Sequence, residues 1–151
     1  MASLSVDGLS ELILDLEELA NLPESVQFEM LEAGAKPVVQ TQKRYVPKNT
    51  GTLAQSIVAK NPIKTKSGCK LDIVPQGIHH TLKGGKSKYR KRGKSGANVR
   101  NAEVGFIHEF GAKGRNIHPS NWMRNANEMA INQAISEEEK VYDNYLKSKN
   151  L

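Results

Sequence analysis

Pro47-Lys48-Asn49-Thr50-Gly51-Thr52-Leu53 divides this chain into two stretches with different periods. Proline, asparagine and glycine stand close together there, and these side chains interrupt helices and start turns. Upstream, apolar residues recur at three- and four-residue steps. Downstream, short β-branched runs alternate with turn residues.

On the upstream side the spacing predicts two helices. Leu9, Leu12, Ile13, Leu16 and Leu19 line one helical face, opposite Glu11, Asp15, Glu17 and Glu18, with Ser5 or Asp7 to cap the start. Asn21-Leu22-Pro23 ends that helix, and Pro23 followed by Glu24 opens a second, predicted over 24–45 with Leu31, Ala35, Val38, Gln42 and Tyr45 as its stripe. Pro37 inside it predicts a kink or a break. On the downstream side, strands are predicted over 56–59, 70–74 and 99–104, with turn chemistry at Asn61-Pro62 and Ser67-Gly68. A helix predicted over 120–147 follows; its inner face reads Met123, Ala126, Ala130, Ala134, Val141 and Tyr145, with Ile131 and Ile135 beside it. The order predicts an α+β fold in one domain over 1–151: two N-terminal helices, a small antiparallel sheet with a long basic insertion, and a long C-terminal helix.

The insertion, about 77–98, carries the charge. Between residues 73 and 102 there is no Asp or Glu, but Lys83, Lys86, Lys88, Arg90, Lys91, Arg92, Lys94 and Arg100 lie there among Gly84, Gly85, Gly93 and Gly96. The whole chain has 22 basic and 16 acidic side chains, so removing these eight leaves the remainder slightly acidic. A glycine-rich basic stretch with few aliphatic residues buries too little surface to offset its ordering entropy, and its charge points to a polyanion or a neighbouring subunit.

Chemistry-bearing motifs are sparse. The single cysteine, Cys69, forms no internal disulfide and fits a reducing cytoplasm. No apolar run approaches the roughly 20 residues of a membrane span, and the N-terminus lacks a signal-peptide pattern. His79 and His80 are adjacent, so on an extended backbone they point to opposite sides. His108-Glu109 starts like a zinc helix, but Ala112 stands where the second histidine belongs. Gly84-Gly85-Lys86-Ser87 ends like a phosphate loop, but His80 occupies the first glycine position. No nucleophile elbow is present. The expectation is a non-enzyme with no cofactor and no metal, against a hydrolase reading that has only His108 and Glu109 behind it.

Two segments are more specific. One is Pro47-x-x-Thr50-Gly51-x-Leu53-x-x-Ser56-Ile57. The other is Val104-Gly105-Phe106-Ile107-x-Glu109-Phe110-Gly111, followed by Ile117-His118-Pro119-x-x-Trp122-Met123-Arg124-x-Ala126. Together they resemble the gene-product-ten-like family of tail-completion and neck components of long-tailed double-stranded-DNA bacteriophages. Its members read aP-x-x-TG-x-L-x-x-SI after a long helix, then Y-x-x-x-hEfG, then ArPFlrPA at the opening of the last helix. Here the first motif is nearly complete, Phe106 replaces the tyrosine of the second, and the third departs, with Ser120-Asn121-Trp122 where Pro-Phe is common.

The resemblance implies a structural virion protein, passing through the host cytoplasm during assembly. It would form a ring, six-fold favoured over twelve-fold, at the head-proximal end of the tail or in the neck. Its partners would be neighbouring neck or tail-terminator proteins and double-stranded DNA in the lumen, with no membrane. In that reading Pro47, Thr50, Gly51, Leu53, Ser56, Ile57, Phe106, Glu109, Phe110, Gly111, Pro119 and Trp122 determine the fold. Phe106, Ile107 and Phe110 are expected to cluster in a short helix on the sheet. Glu109 is expected to face solvent or to find a basic partner such as Arg115 or Arg124, including across a subunit boundary. The basic stretch meets either DNA or an acidic surface of a neighbour such as Glu137-Glu138-Glu139. The alternative is a stand-alone nucleic-acid-binding protein that uses residues 77–100 as its contact surface.

Overall fold

The computed structural model describes residues 22–48, 51–79 and 99–149, apart from the side chains of His79 and Arg115. The predicted first helix, Thr50 of the first motif, and seven of the eight insertion cations (Lys83, Lys86, Lys88, Arg90, Lys91, Arg92 and Lys94) lie outside the described residues.

Helix α1 is Glu24–Tyr45. Pro23 precedes it and its carbonyl accepts from the backbone N–H groups of Val26 and Gln27, at 3.0 and 3.1 Å. Glu24 in the first turn and Lys43 and Arg44 in the last complement the helix dipole. Val46 then turns extended, as a residue before proline prefers. Of the kink or break expected at Pro37, the break is absent: α1 continues through it. Packing along the C-terminal helix holds the helical path across the position where the proline supplies no N–H.

A second correction follows the turn. Gly51, left-handed at φ 77°, opens a single helical turn, α2 (Thr52–Ser56), and extended chain begins only at Ile57. The Ser56 hydroxyl bonds back to the Leu53 carbonyl at 2.7 Å, which keeps Ser56 helical where a strand is predicted.

Four short strands form one bent hairpin. β1 (Ile57–Ala59) pairs antiparallel with β4 (Ile73–Pro75), and β2 (Ile63–Thr65) with β3 (Gly68–Lys70). The strand predicted over 70–74 is therefore divided, because Lys70 faces Ile63 while Ile73 faces Ala59. Between those pairs the first arm carries Lys60, Asn61 and Pro62 and the second only Leu71 and Asp72. The extra residue shifts the register and bends the ribbon, at a proline that has no N–H to give. The Lys60 N–H donates to the Asp72 carbonyl at 2.8 Å across the bend. At the tip, Lys64 bonds the Glu24 carboxylate at 2.7 Å, tying the hairpin to the start of α1. That carboxylate holds the Lys64 ammonium above its ordinary pKa, chiefly through the hydrogen bond.

β5 (Ile78–His79) pairs with β6 (Val99–Arg100). The strand predicted over 99–104 ends early, because α3 (Asn101–Phe110) begins at the next residue. Asn101, Gly105 and Glu109 are buried at four-residue steps, with Val104 beside them, so the 3.6 period prevails over the β-branched residues. A 3-10 turn, Lys113–Arg115, lies inside a loop closed by the Ala112–Ile117 bridge. Helix α4 (Trp122–Ser148) follows and runs antiparallel to α1: Gln42 donates to Asn127 at 2.9 Å, and Gly34 sits against Glu138. Ala126, Ala130 and Ala134 are buried as predicted, whereas Ile131 and Ile135 are exposed.

The core consists of Val46, Leu53, Ile57, Val99, Val104 and Trp122, with Val39, Ala54, Ile73 and Met123 packed on it. Trp122 is 1 % exposed and its indole N–H donates to the Gly105 carbonyl at 3.1 Å. A methyl group at Gly105 would lie 3.3 Å from Pro75 and 3.5 Å from Trp122, so the absent side chain lets α3 approach both. The architecture is α+β, with two long helices paired beside small antiparallel ribbons.

Candidate functional site

Two regions carry the features singled out from the sequence: the corner where α3 meets α4, and the ribbon from which the basic insertion leaves.

At the corner, Gly111 ends α3 with φ 75° and ψ 179°, a backbone conformation essentially confined to glycine. A Cβ there would come within 2.7 Å of the Ile117 carbonyl oxygen and 2.9 Å of the Pro119 ring. Gly111 and Pro119 therefore fit together across the loop. The end of α3 then receives the returning chain. The Ser120 N–H and hydroxyl both donate to the His108 carbonyl, at 2.9 and 2.7 Å, and the Asn121 N–H donates to the Glu109 carbonyl at 3.2 Å.

Glu109 departs from the expectation of a solvent-facing carboxylate, and among the described side chains, which do not include that of Arg115, it makes no ion pair with a guanidinium within the chain. Its side chain is buried, at 6 % exposure; one carboxylate oxygen accepts from the Met123 N–H at 2.7 Å and the other from the Arg124 N–H at 3.2 Å. These are second- and third-position donors of α4, which have no partner inside the helix. Asn121, at the capping position, is left-handed and its side chain makes no cap bond. Glu109 thus supplies from α3 the acceptor that a capping residue ordinarily supplies locally, and it places negative charge at the positive end of the α4 dipole.

The motif residues separate into two groups. Leu53, Ile57 and Trp122 share the core cluster, and Glu109, Gly111 and Pro119 lock the corner behind it. Phe106 and Phe110 turn outward. Each is 62 % exposed, and their rings pack against each other at a tilt of 48° with centroids 4.6 Å apart. Of the cluster expected from Phe106, Ile107 and Phe110, the two phenylalanines pair with each other but face solvent, and Ile107 is half-buried. Beside Phe110 the loop borders a half-open pocket of about 470 Å³, lined also by Lys113, Ile117, His118 and Pro119.

At the other region, Ile78 faces Arg100 and His79 faces Val99, so the ends of segment 80–98 emerge side by side. The insertion thereby begins three residues later than the sequence boundary of 77. Asn101 holds this root: its backbone N–H donates to the Gly77 carbonyl at 3.0 Å, and its buried side-chain amide to the Gln76 carbonyl at 2.7 Å. Arg100 is exposed beside it. A loop of this length, fixed at both ends, reaches no further than about 30 Å.

The acidic triplet considered as a neighbour's docking surface is not uniform. Glu137 is paired with Lys140 at 2.7 Å, and Glu138 is half-buried, with its carboxyl pKa raised by desolvation. Among the described residues no cluster of His, Cys, Asp and Glu is placed to hold a metal, and no helix is long and apolar enough to cross a membrane. Compared with protein-family models, curated proteins and solved structures, the chain matches none.

Proposed function

We propose that this chain is a structural ring subunit at the head-proximal end of the tail, or in the neck, of a long-tailed double-stranded-DNA bacteriophage, joining the tail to the DNA-filled head. The observation that carries this reading is how the motif residues are used. Leu53, Ile57, Glu109, Gly111, Pro119 and Trp122 are committed to packing, capping and backbone geometry at one joint. Such residues define a shape that assembles and leave no reacting group aimed into a cleft, so the chain is read as a non-enzyme. The basic insertion, anchored on a two-stranded root, is the natural counterpart of a polyanion passing nearby. In this reading the ring is six-fold, and the insertion lies toward the lumen.

Reconstruction of an intact head–tail junction by electron microscopy tests the proposal directly. The expected result is this chain in a closed ring next to the head. Its presence elsewhere, or in a single copy, refutes the reading. The stand-alone nucleic-acid-binding reading draws on the same insertion and differs in assembly state: a monomer or dimer that binds DNA, with no place in a particle, favours it.

A further inference from the structure

The outward aromatic pair has a counterpart on the same chain. Glu103, Phe106 and Phe110 stand at i, i+3 and i+7 on α3 and form one exposed stripe, with the exposed Lys113 just beyond the helix end. Elsewhere, between α1 and β1, lies an open groove of about 340 Å³ with Ala35, Val39 and Val58 in its apolar lining. Its α1 rim carries Glu32, Lys36 and Lys43, again one helical stripe. Stripe and groove share no residue, so one copy can use both at once.

The charges agree in one orientation. With α3 laid antiparallel along α1, Glu103 comes opposite Lys43 and the two phenylalanines lie toward Val39 and Ala35, with the turn that carries Lys113 toward the Glu32 end. From Glu103 to Phe110 the α3 stripe spans roughly 10 Å at the helical rise, which fits within the roughly 16 Å from Glu32 to Lys43 on α1. Two phenylalanines exposed side by side at this corner have the character of an interface anchor: large apolar area and few rotamers.

We infer that a second copy of this chain covers the aromatic pair, with Phe106 and Phe110 of one subunit seated in the α1–β1 groove of the next. The contact is heterologous, because stripe and groove are different surfaces, and repeating it yields a ring when the rotation closes. The inference rests on the ring reading for closure and on its own residues for the contact.

The test is sedimentation equilibrium of the full chain up to about 1 mM, the weak end of measurable association. The wild type is expected to self-associate. Phe106→Ala combined with Phe110→Ala should weaken association by about thirty-fold or more, the loss expected of an interface anchor. Both side chains lie outside the core, so circular dichroism should report an intact fold. Glu103→Lys and Lys43→Glu should each weaken association, and the two together should restore it. A wild type that stays monomeric throughout, a double alanine variant that associates like the wild type, or charge reversals that do not rescue each other would overturn the inference. A junction reconstruction separates the two claims. A ring built through other surfaces sinks this contact alone, whereas absence of any ring sinks the functional reading.

Discussion

Glu109→Ala removes the acceptor that both the Met123 and Arg124 N–H groups use, at 2.7 and 3.2 Å. The carboxylate is 6 % exposed, so little water replaces it in the wild-type packing. Losing an N-cap acceptor costs about 0.5–2 kcal/mol, and hydrogen bonds to charged groups contribute about 1.5–3 kcal/mol each. The two effects overlap, and water can enter the cavity left by truncation, so the expected loss is about 2–4 kcal/mol. Glu109→Gln keeps one carbonyl acceptor and the side-chain volume but loses the charge at the helix dipole, and is expected to cost about half as much, roughly 1–2 kcal/mol. Urea denaturation followed by far-ultraviolet circular dichroism resolves these values. With an m-value of about 2 kcal/mol/M, the alanine variant should move the midpoint down by about 1–2 M with its slope unchanged. Arg124→Ala supplies the control: it removes the guanidinium and keeps the N–H, so it should change stability by no more than about 0.5 kcal/mol, as surface substitutions usually do. If Glu109→Ala falls within that same range, or if Arg124→Ala matches it, the capping account is wrong.

Glu138 has its carboxyl pKa raised by desolvation, so the folded state binds its proton more tightly than the unfolded chain does. That contribution is full below the unfolded pKa and is lost as pH rises through the folded one. Glu138→Gln should therefore raise the melting temperature at pH 7, and the gain should fade on acidification to pH 4; an unchanged gain across that range would contradict the sign. Gly111→Ala should destabilise by about 1–3 kcal/mol through strain alone, more if the Ile117 carbonyl cannot yield, as measured by thermal unfolding. In the DNA-facing reading, binding should be independent of sequence, with a log–log salt slope near about −5 for six phosphates. Neutralising Lys88, Arg90, Lys91 and Arg92 together should then bring that slope to roughly −2 in fluorescence anisotropy. Negligible affinity at low salt would instead assign the insertion to subunit contacts.

Much of the fold was legible where local chemistry decides alone. Pro23-Glu24 starts α1, the Ala126, Ala130 and Ala134 stripe marks the buried side of α4, and Gly51 takes the left-handed conformation its turn requires. The misreadings occur where a distant residue decides. Lys70 and Ile73 belong to different pairings only because the opposite arm carries one residue more. Val99–Arg100 stops as a strand because Asn101 bonds across to Gln76 and Gly77. Glu109 was read as facing solvent or a basic partner, and within the chain it accepts from backbone groups that only the folded chain brings near. The sequence carried no signal for this: Asn121 is a favoured capping residue, and only its left-handed backbone in the fold leaves the cap to an acceptor from elsewhere. At the candidate site the outward direction of Phe106 and Phe110 was equally hidden, since a helical period fixes which residues share a face and not which face is covered.

The paired root of the insertion also bears on how this chain can vary. Because His79 and Val99 already lie opposite each other, the backbone between them can lengthen, shorten or change composition without altering any pairing on the fold side. Each doubling of such a loop adds only about 0.6 kcal/mol of closure entropy. Selection can therefore retune the charge and reach of the insertion almost independently of the joint built around Trp122. Related chains could diverge widely in this one segment while keeping the same α3–α4 corner, and a short turn joining His79 to Val99 would separate the scaffold from its appendage in a single protein.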